Sequence, residues 1–477
     1  MIEWFAANDY DLARQVLQRG IAAIYLIAFL STAAQFRPLL GENGLLPVRD
    51  FIARTTWQQA PSLFRWHYSD RMLLAVAWLG VLVSSSLVAG LPQVGPPWLP
   101  MVAFLLLWAG YLSITTIGQT FYGFGWEMLL CEAGFIVAFL GSDQTAPPIA
   151  IIIFIRWLVF RLEFGAGMIK LRGDTAWRNL TALYYHHETQ PMPNPFSRWA
   201  HLLPRWFHRS EVLGNHFAQL VVPFFLFAPQ RFASAAAVIV ILTQLWLVFS
   251  GNFAWLNVIT IVLAFSAVGD GAAHAVIPAV AAGGTSAETP LWFMALVLAV
   301  TTVLVALSYW PLRNLFARRQ LMNASFNPLH LVNAYGAFGS VTRERYEVIV
   351  EGTDADQPDE SAEWLEYEFK GKPGDPQRMP RQFAPYHLRL DWLMWFLPLG
   401  GRPERWFMAF LVRLLTADRP TLRLLRVDPF TGKRPQWVRA RLFHYRFTTR
   451  EEKRATGATW MREPAAEFVP PVSLPGD

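Results

Sequence analysis

The sequence predicts a polytopic α-helical membrane domain followed by a β-rich C-terminal soluble domain, and three observations carry that prediction. Hydrophobic residues make up 53% of the 477 and charged residues only 16%, with a mean hydropathy of +0.27. Apolar runs recur through the first two thirds of the chain at close to the roughly 20 residues that cross a bilayer. After Trp310-Pro311 the pattern changes to short stretches in which apolar and polar residues alternate.

The opening, Glu3-Trp-Phe-Ala-Ala-Asn-Asp-Tyr-Asp11, is acidic and amphipathic. It lacks the basic start of a cleavable signal peptide, so residues 1–20 are expected to lie along the membrane interface. The helical domain, 21–324, then reads as about eight or nine spans. They fall at roughly 21–36, 71–90, 98–118, 126–141, 148–165, 215–229, 232–250, 254–269 and 290–311, some short enough to be re-entrant. The one cysteine, Cys131, lies inside a span. It excludes an intramolecular disulfide and any Cys-x-x-Cys relay, and reads as a small buried apolar residue.

A polar loop, 166–213, interrupts the apolar runs. Around it stand Glu163, Lys170, Arg172, Asp174, Trp177, Tyr185, His186, His187, Glu188 and Gln190. Ionisable groups this close to hydrocarbon are costly unless paired or hydrated, so they mark a site or a tightly bonded loop. Lys170 is expected to snorkel or to pair with Glu163 or Asp174; the alternative is a desolvated lysine acting as a base. His186 and His187 lie about 100° apart on a helix and do not easily share one metal; a site would need Glu188, or the distant His201 or His208. No metal and no cofactor are expected, and a hydrogen-bonded structural loop is the preferred reading.

Charge placement bears on orientation. Arg37, Arg49, Arg54, Arg65 and Arg71 bound the first long loop, Lys170 to Arg209 fill the second, and Arg313, Arg318 and Arg319 follow the last span. These segments are expected to share one side, and the positive-inside rule would make that side cytoplasmic. The net charge of +6 suits basic loops and gives no reason to expect nucleic acid.

In the C-terminal domain, 325–450, Tyr346 to Glu351 and Trp364 to Phe369 flank an acidic turn ending at Glu360 and read as a β-hairpin. Leu388 to Phe396 reads as a strand or short helix, Trp406 to Leu415 as a helix, and Gln436 to Phe447 as a strand. The arginines and aromatics of that last strand fit a sheet with one packed face better than a nucleic-acid surface. The tail, 451–477, ends in Pro-Pro-Val-Ser-Leu-Pro-Gly-Asp and is expected to be disordered.

The blocks Asn333-Ala-Tyr-Gly-Ala-Phe-Gly-Ser-Val-Thr-Arg, Ala384-Pro-Tyr-His-Leu-Arg-Leu-Asp-Trp and Asp428-Pro-Phe, with Asp174-Thr-Ala-Trp-Arg-Asn-Leu-Thr-Ala-Leu-Tyr-Tyr-His-His-Glu in the membrane domain, closely resemble the lipase maturation factor family. The resemblance implies a membrane-embedded factor that assists folding or assembly of a lipase-like or other secreted or membrane client, without turnover chemistry. Vertebrate members act in the endoplasmic reticulum membrane and engage clients on the luminal face, which implies a C-terminal domain outside the cytoplasm, opposite to the arginine count. The arginine-rich composition points to a bacterial inner membrane; for a eukaryotic source the endoplasmic reticulum membrane is expected instead. Client contacts would fall on Tyr335, Phe338, Arg389, Asp391, Trp392 and Trp395, where an Arg389–Asp391 ion pair among large aromatics suits a binding hot spot and equally a buried pair that holds the domain's core together. Gly165-x-Gly-x-x-Lys170-Leu is more weakly similar to vitamin K-dependent carboxylase-like membrane domains. It supplies the alternative, an integral-membrane enzyme modifying a lipid or a protein side chain at Lys170 and His186, with His187 and Glu188 as further catalytic candidates.

Overall fold

A computed structural model describes residues 4–276, 288–359 and 361–474. Glu3 of the opening, Glu360 of the acidic turn, the last three residues of the tail and part of the 270–289 connector lie outside the described residues. The helices that build the bundle are α1 (Asp11–Leu40), α2 (Asp70–Ala89), α3 (Trp98–Ile117), α4 (Gly125–Val137), α5 (Ile149–Arg172), α6 (Leu183–Thr189), α7 (Arg205–Leu220), α8 (Gln230–Ser250), α9 (Leu256–Ala264) and α10 (Leu291–Leu307), which runs on to Phe316.

Among the described residues five helices are long and apolar enough to cross a membrane: α1, α2, α3, α8 and the stretch Leu291–Phe316. The expected count of eight or nine is therefore not met by free-standing spans. The segments expected at 126–141, 148–165, 215–229 and 254–269 are shorter or carry charge. α5 has 24 residues but bears Arg156, Arg161 and Glu163, and all three are buried against protein, as polar groups at that depth require.

The first helix begins ten residues earlier than expected, at Asp11, with Ala13, Leu17 and Ile21 buried in the bundle. The opening is docked as well: Phe5 is buried and its carbonyl accepts the Ile149 N–H at 2.9 Å, while Asp9 accepts the Asp270 N–H on its carbonyl at the same distance. From Trp4 on, the opening thus packs at one end of the bundle. Gln93 and Asp143 meet at that same end. The arginine-bearing segments gather at the other end, where Arg198 donates to the Thr448 carbonyl and Arg413 to that of Asn43.

There a four-stranded antiparallel sheet packs, in the order β2-β1-β3-β4, from β1 (Arg345–Thr353), β2 (Leu365–Tyr367), β3 (Trp437–Phe447) and β4 (Trp460–Val472). The expected hairpin and the strand at 436–447 are present. The tail is a correction: a short helix, Arg450–Thr456, capped by Thr449 and Glu452, leads into β4 as an edge strand. Two further helices, α11 (Arg389–Gly400) and α12 (Arg405–Leu415), join sheet to bundle.

One hydrophobic core runs through both parts, from Leu17 and Tyr111 to Trp392, Phe410 and Val438. Its polar rivets are buried charges. Glu127 on α4 receives the Arg389 guanidinium at 2.6 Å and the Tyr111 hydroxyl, and faces His387 Nδ1 at 3.2 Å. Glu132, one turn and a half further, receives Arg161, the Asn333 N–H and the Tyr335 hydroxyl. In the sheet, Glu347 sits between Arg345 and Lys372, with Lys372 Nζ at 2.6 Å. Each acid has more than one partner, as a carboxylate needs when it leaves water.

Candidate functional site

The polar island closes around α5. A Cβ on Gly165 would stand 2.5 Å from the Tyr335 carbonyl oxygen, and one on Gly173 2.2 Å from that of Gly339. Glycine at these positions lets the 333–341 segment lie directly across the helix. Asp174 then caps the turn that follows, accepting the N–H groups of Ala176 and Val341 and pairing with Arg343 at 2.8 Å. Its partial burial pushes its pKa up, but those two N–H groups and the Arg343 guanidinium hold it below the ordinary carboxylate range.

Lys170 therefore does not pair with Asp174. Its ammonium donates to Asn215 Oδ1 at 2.9 Å and Gln219 Oε1 at 2.8 Å, and lies 4.7 Å from the centre of the Trp177 ring. Gln219 in turn donates to Glu163 at 3.1 Å, and Gln244 does so at 2.6 Å, so Glu163 and Lys170 are linked through an amide. Arg172 turns away to the carbonyls of Leu315 and Ala317. Tyr185 stacks under Arg343, and Gln190 ties His187, Ser197 and Ser250 together. Glu188 accepts the Phe447 N–H at 2.7 Å, with its pKa raised by burial, and joins the loop to β3. These bonds tie the loop to itself, to the bundle and to the sheet.

Beside it lies a cavity of about 420 Å3, mostly apolar, between α5, α7 and α8. Lys170, His186, Glu211 and Gln244 converge in it, and Gly214, Phe217 and Leu242 line its outer side, the last two about half exposed or more. The His186 ring packs parallel to Phe253 and edge-on to Phe338. Burial, with the charge of neighbouring groups behind it, pushes its pKa down to about 3. His187 is drawn off to a different partnership: its Nε2, His208 Nδ1 and a Glu211 oxygen lie within 4.8 Å of one another. Glu211 was not among the expected site residues, since a lone glutamate on an amphipathic helix reads as a solvated surface charge.

The client-contact candidates divide. Tyr335, Phe338, Trp392 and Trp395 line a second cleft of about 290 Å3 at the junction of bundle and sheet, with Phe124, Trp126 and Phe396. Arg389 and Asp391 do not reach it and do not pair with each other. Arg389 is spent on Glu127 and the Phe121 carbonyl, and Asp391 accepts the Gly371 N–H at 2.6 Å. Arg389, Asp391, Trp392 and Tyr335 are all buried, so they hold the molecule together; Trp395 and Phe338 are half-buried and Phe396 is exposed.

Bundle and site define a polytopic membrane protein whose helical part carries a buried polar network and is locked to a C-terminal sheet module. Residues 12–275 match the lipase maturation factor transmembrane domain and residues 331–470 the lipase maturation factor C-terminal domain. The chain belongs to the lipase maturation factor family. It is 39% identical to lipase maturation factor 1 of Mus musculus, covering 98% of this chain and 88% of that protein, and 38% identical to that of Homo sapiens over 98% and 89%. Lipase maturation factor 2 of Homo sapiens is 29% identical over 97% and 83%. No solved structure matches the chain with significance.

Proposed function

We propose that this protein is an integral-membrane maturation factor for lipases, acting without turnover chemistry from a bacterial inner membrane. The observation that carries the reading is the match of both parts of the chain to one family, across almost its whole length. The geometry is compatible with it. Lys170 and Glu163 are engaged in hydrogen bonds with side-chain amides, which suits a structural network better than a reacting base. The client is expected at the second cleft, where exposed Phe396 stands next to Trp395; Leu399 on the same helix and Met408 and Val412 of α12 also leave apolar side chains exposed. In the same proposal the protein-sheathed segments α4, α5 and α9, with the stretch 215–229, complete the passes of the bundle through the membrane.

The test is co-expression with a secreted lipase of the same source, reading the yield of active, assembled lipase. The chain should raise that yield, and Phe396→Ser with Leu399→Ser should abolish the gain while the factor itself accumulates normally. A lipase yield indifferent to the chain would sink the reading.

A further inference from the structure

We propose that His187, His208 and Glu211 form a Zn2+ site whose remaining coordination position opens into the cavity between α5, α7 and α8. The three groups come from two elements. His208 and Glu211 stand three residues apart on α7 and so share one face of it, and α6 presents His187 against that face. Glu211 Oε2 lies 3.6 Å from His187 Nε2 and 3.7 Å from His208 Nδ1. Both separations are too long for hydrogen bonds. They approach the roughly 3.3 to 3.5 Å that separates ligands bound to one tetrahedral zinc at about 2.0 to 2.2 Å each.

The second observation is what the converging atoms lack. His187 is 1% exposed and His208 2%, yet both ring nitrogens of His187, Nδ1 of His208 and Oε2 of Glu211 are buried without any hydrogen-bond partner. Buried polar atoms are nearly always satisfied, and these four belong to one cluster. A cation placed among them satisfies three at once.

The surroundings orient the donors as metal ligands are oriented. His208 Nε2 lies 3.2 Å from the His201 carbonyl, which fixes the tautomer that leaves Nδ1 free. Trp246 donates its indole N–H to the other oxygen of Glu211, which turns Oε2 toward the histidines. Two imidazoles and one carboxylate suit a borderline divalent ion, and three protein ligands leave a place open. His187 and Glu211 both line the cavity, so water or an anionic oxygen of an amphiphile would fill that place. Lys170 lines the same cavity but is held by Asn215 and Gln219.

The site is tested on the full chain in detergent, purified without a polyhistidine tag, stripped with chelator and titrated with Co2+ as a spectroscopic probe. Saturable visible d–d bands at about one equivalent, displaced by Zn2+, are expected. Zn2+ should also raise the melting temperature, and chelator should reverse the rise. Glu211→Gln, which keeps the acceptor for Trp246, and His208→Gln should weaken binding by roughly 100-fold or more, and Trp246→Phe by about 10- to 100-fold. Folded parent protein without d–d bands in excess Co2+ overturns the site, and that titration decides alone if the variants do not fold. A Glu211→Gln protein that titrates like the parent overturns it equally.

Discussion

Arg389 shows how much of this molecule rests on single buried charges. It is fully buried, its guanidinium carbon lies 3.4 Å from the centre of the Tyr122 ring, and its carboxylate partner is 262 positions away in the chain. Arg389→Met would strand Glu127 and is expected to cost about 3 to 5 kcal/mol, read as lost melting temperature in detergent. Adding Glu127→Gln should recover much of the loss, because the penalty lies in the unpaired charge. Additive losses in the double variant would rule that account out. His387, buried beside the same acid, behaves differently with pH. Burial, and then the Arg389 charge, push its pKa down to about 4, so the folded protein holds it neutral where the unfolded chain protonates it below about 6.5. The unfolded state binds more protons in that window, so stability falls as pH drops from about 6.5 toward 4. The share due to His387 should be about 2 kcal/mol at pH 5. His387→Phe should flatten this acid limb; an unchanged limb would clear His387 of the effect.

Among the elements, β4 is the one the sequence concealed. Alternation exposed β3, which buries one face, whereas β1 is buried along almost its whole length and its hairpin announced itself by the acidic turn. The segment 460–472 instead contains Pro464, Pro470 and Pro471 and reads as disorder. The sheet order explains it: β4 is an edge, where proline withholds an N–H that no further strand would use. Its first residue, Trp460, is fully buried and stacks on Phe447 with ring centres 4.1 Å apart. Trp460→Ala is expected to cost about 3 to 5 kcal/mol, and a chain ending at Arg450 should not accumulate folded. Normal yields of the truncated chain would show that β4 only decorates the sheet. The helical elements were legible from apolar runs, but their number was not, since length and hydropathy do not say which run another helix will sheathe. The site was legible in its members and hidden in its pairings: Glu163, Lys170, Asp174 and His187 were evident, whereas Asn215, Gln219, Arg343 and Glu211 lie on other segments and carry no local signal. Charges inside apolar runs, Glu127, Glu132 and Arg161, were the overlooked clue.

For the whole molecule, the shared core and the charged rivets predict that bundle and sheet behave as one body. A protease site inserted at the exposed pair Arg318-Arg319 should be cut without releasing the C-terminal part. Residues 320–477 are expected to co-elute with the bundle in mild detergent, because Asn333, Tyr335 and Arg389 remain bound to Glu132 and Glu127. Separation of the fragments on sizing would mean that the linker alone holds them.

Cys131, the one thiol in the chain, is sealed completely inside α4. Bulky maleimide and spin-label reagents have no path to it while the fold holds. The native sequence is therefore already a silent background for labelling. A single cysteine placed at Gly214 or Leu399 would carry the only reactive sulfur on the surface, and a pair of them could be cross-linked to a passing lipase without first rebuilding the protein. Conversely, any reaction at Cys131 itself would report the moment the bundle opens.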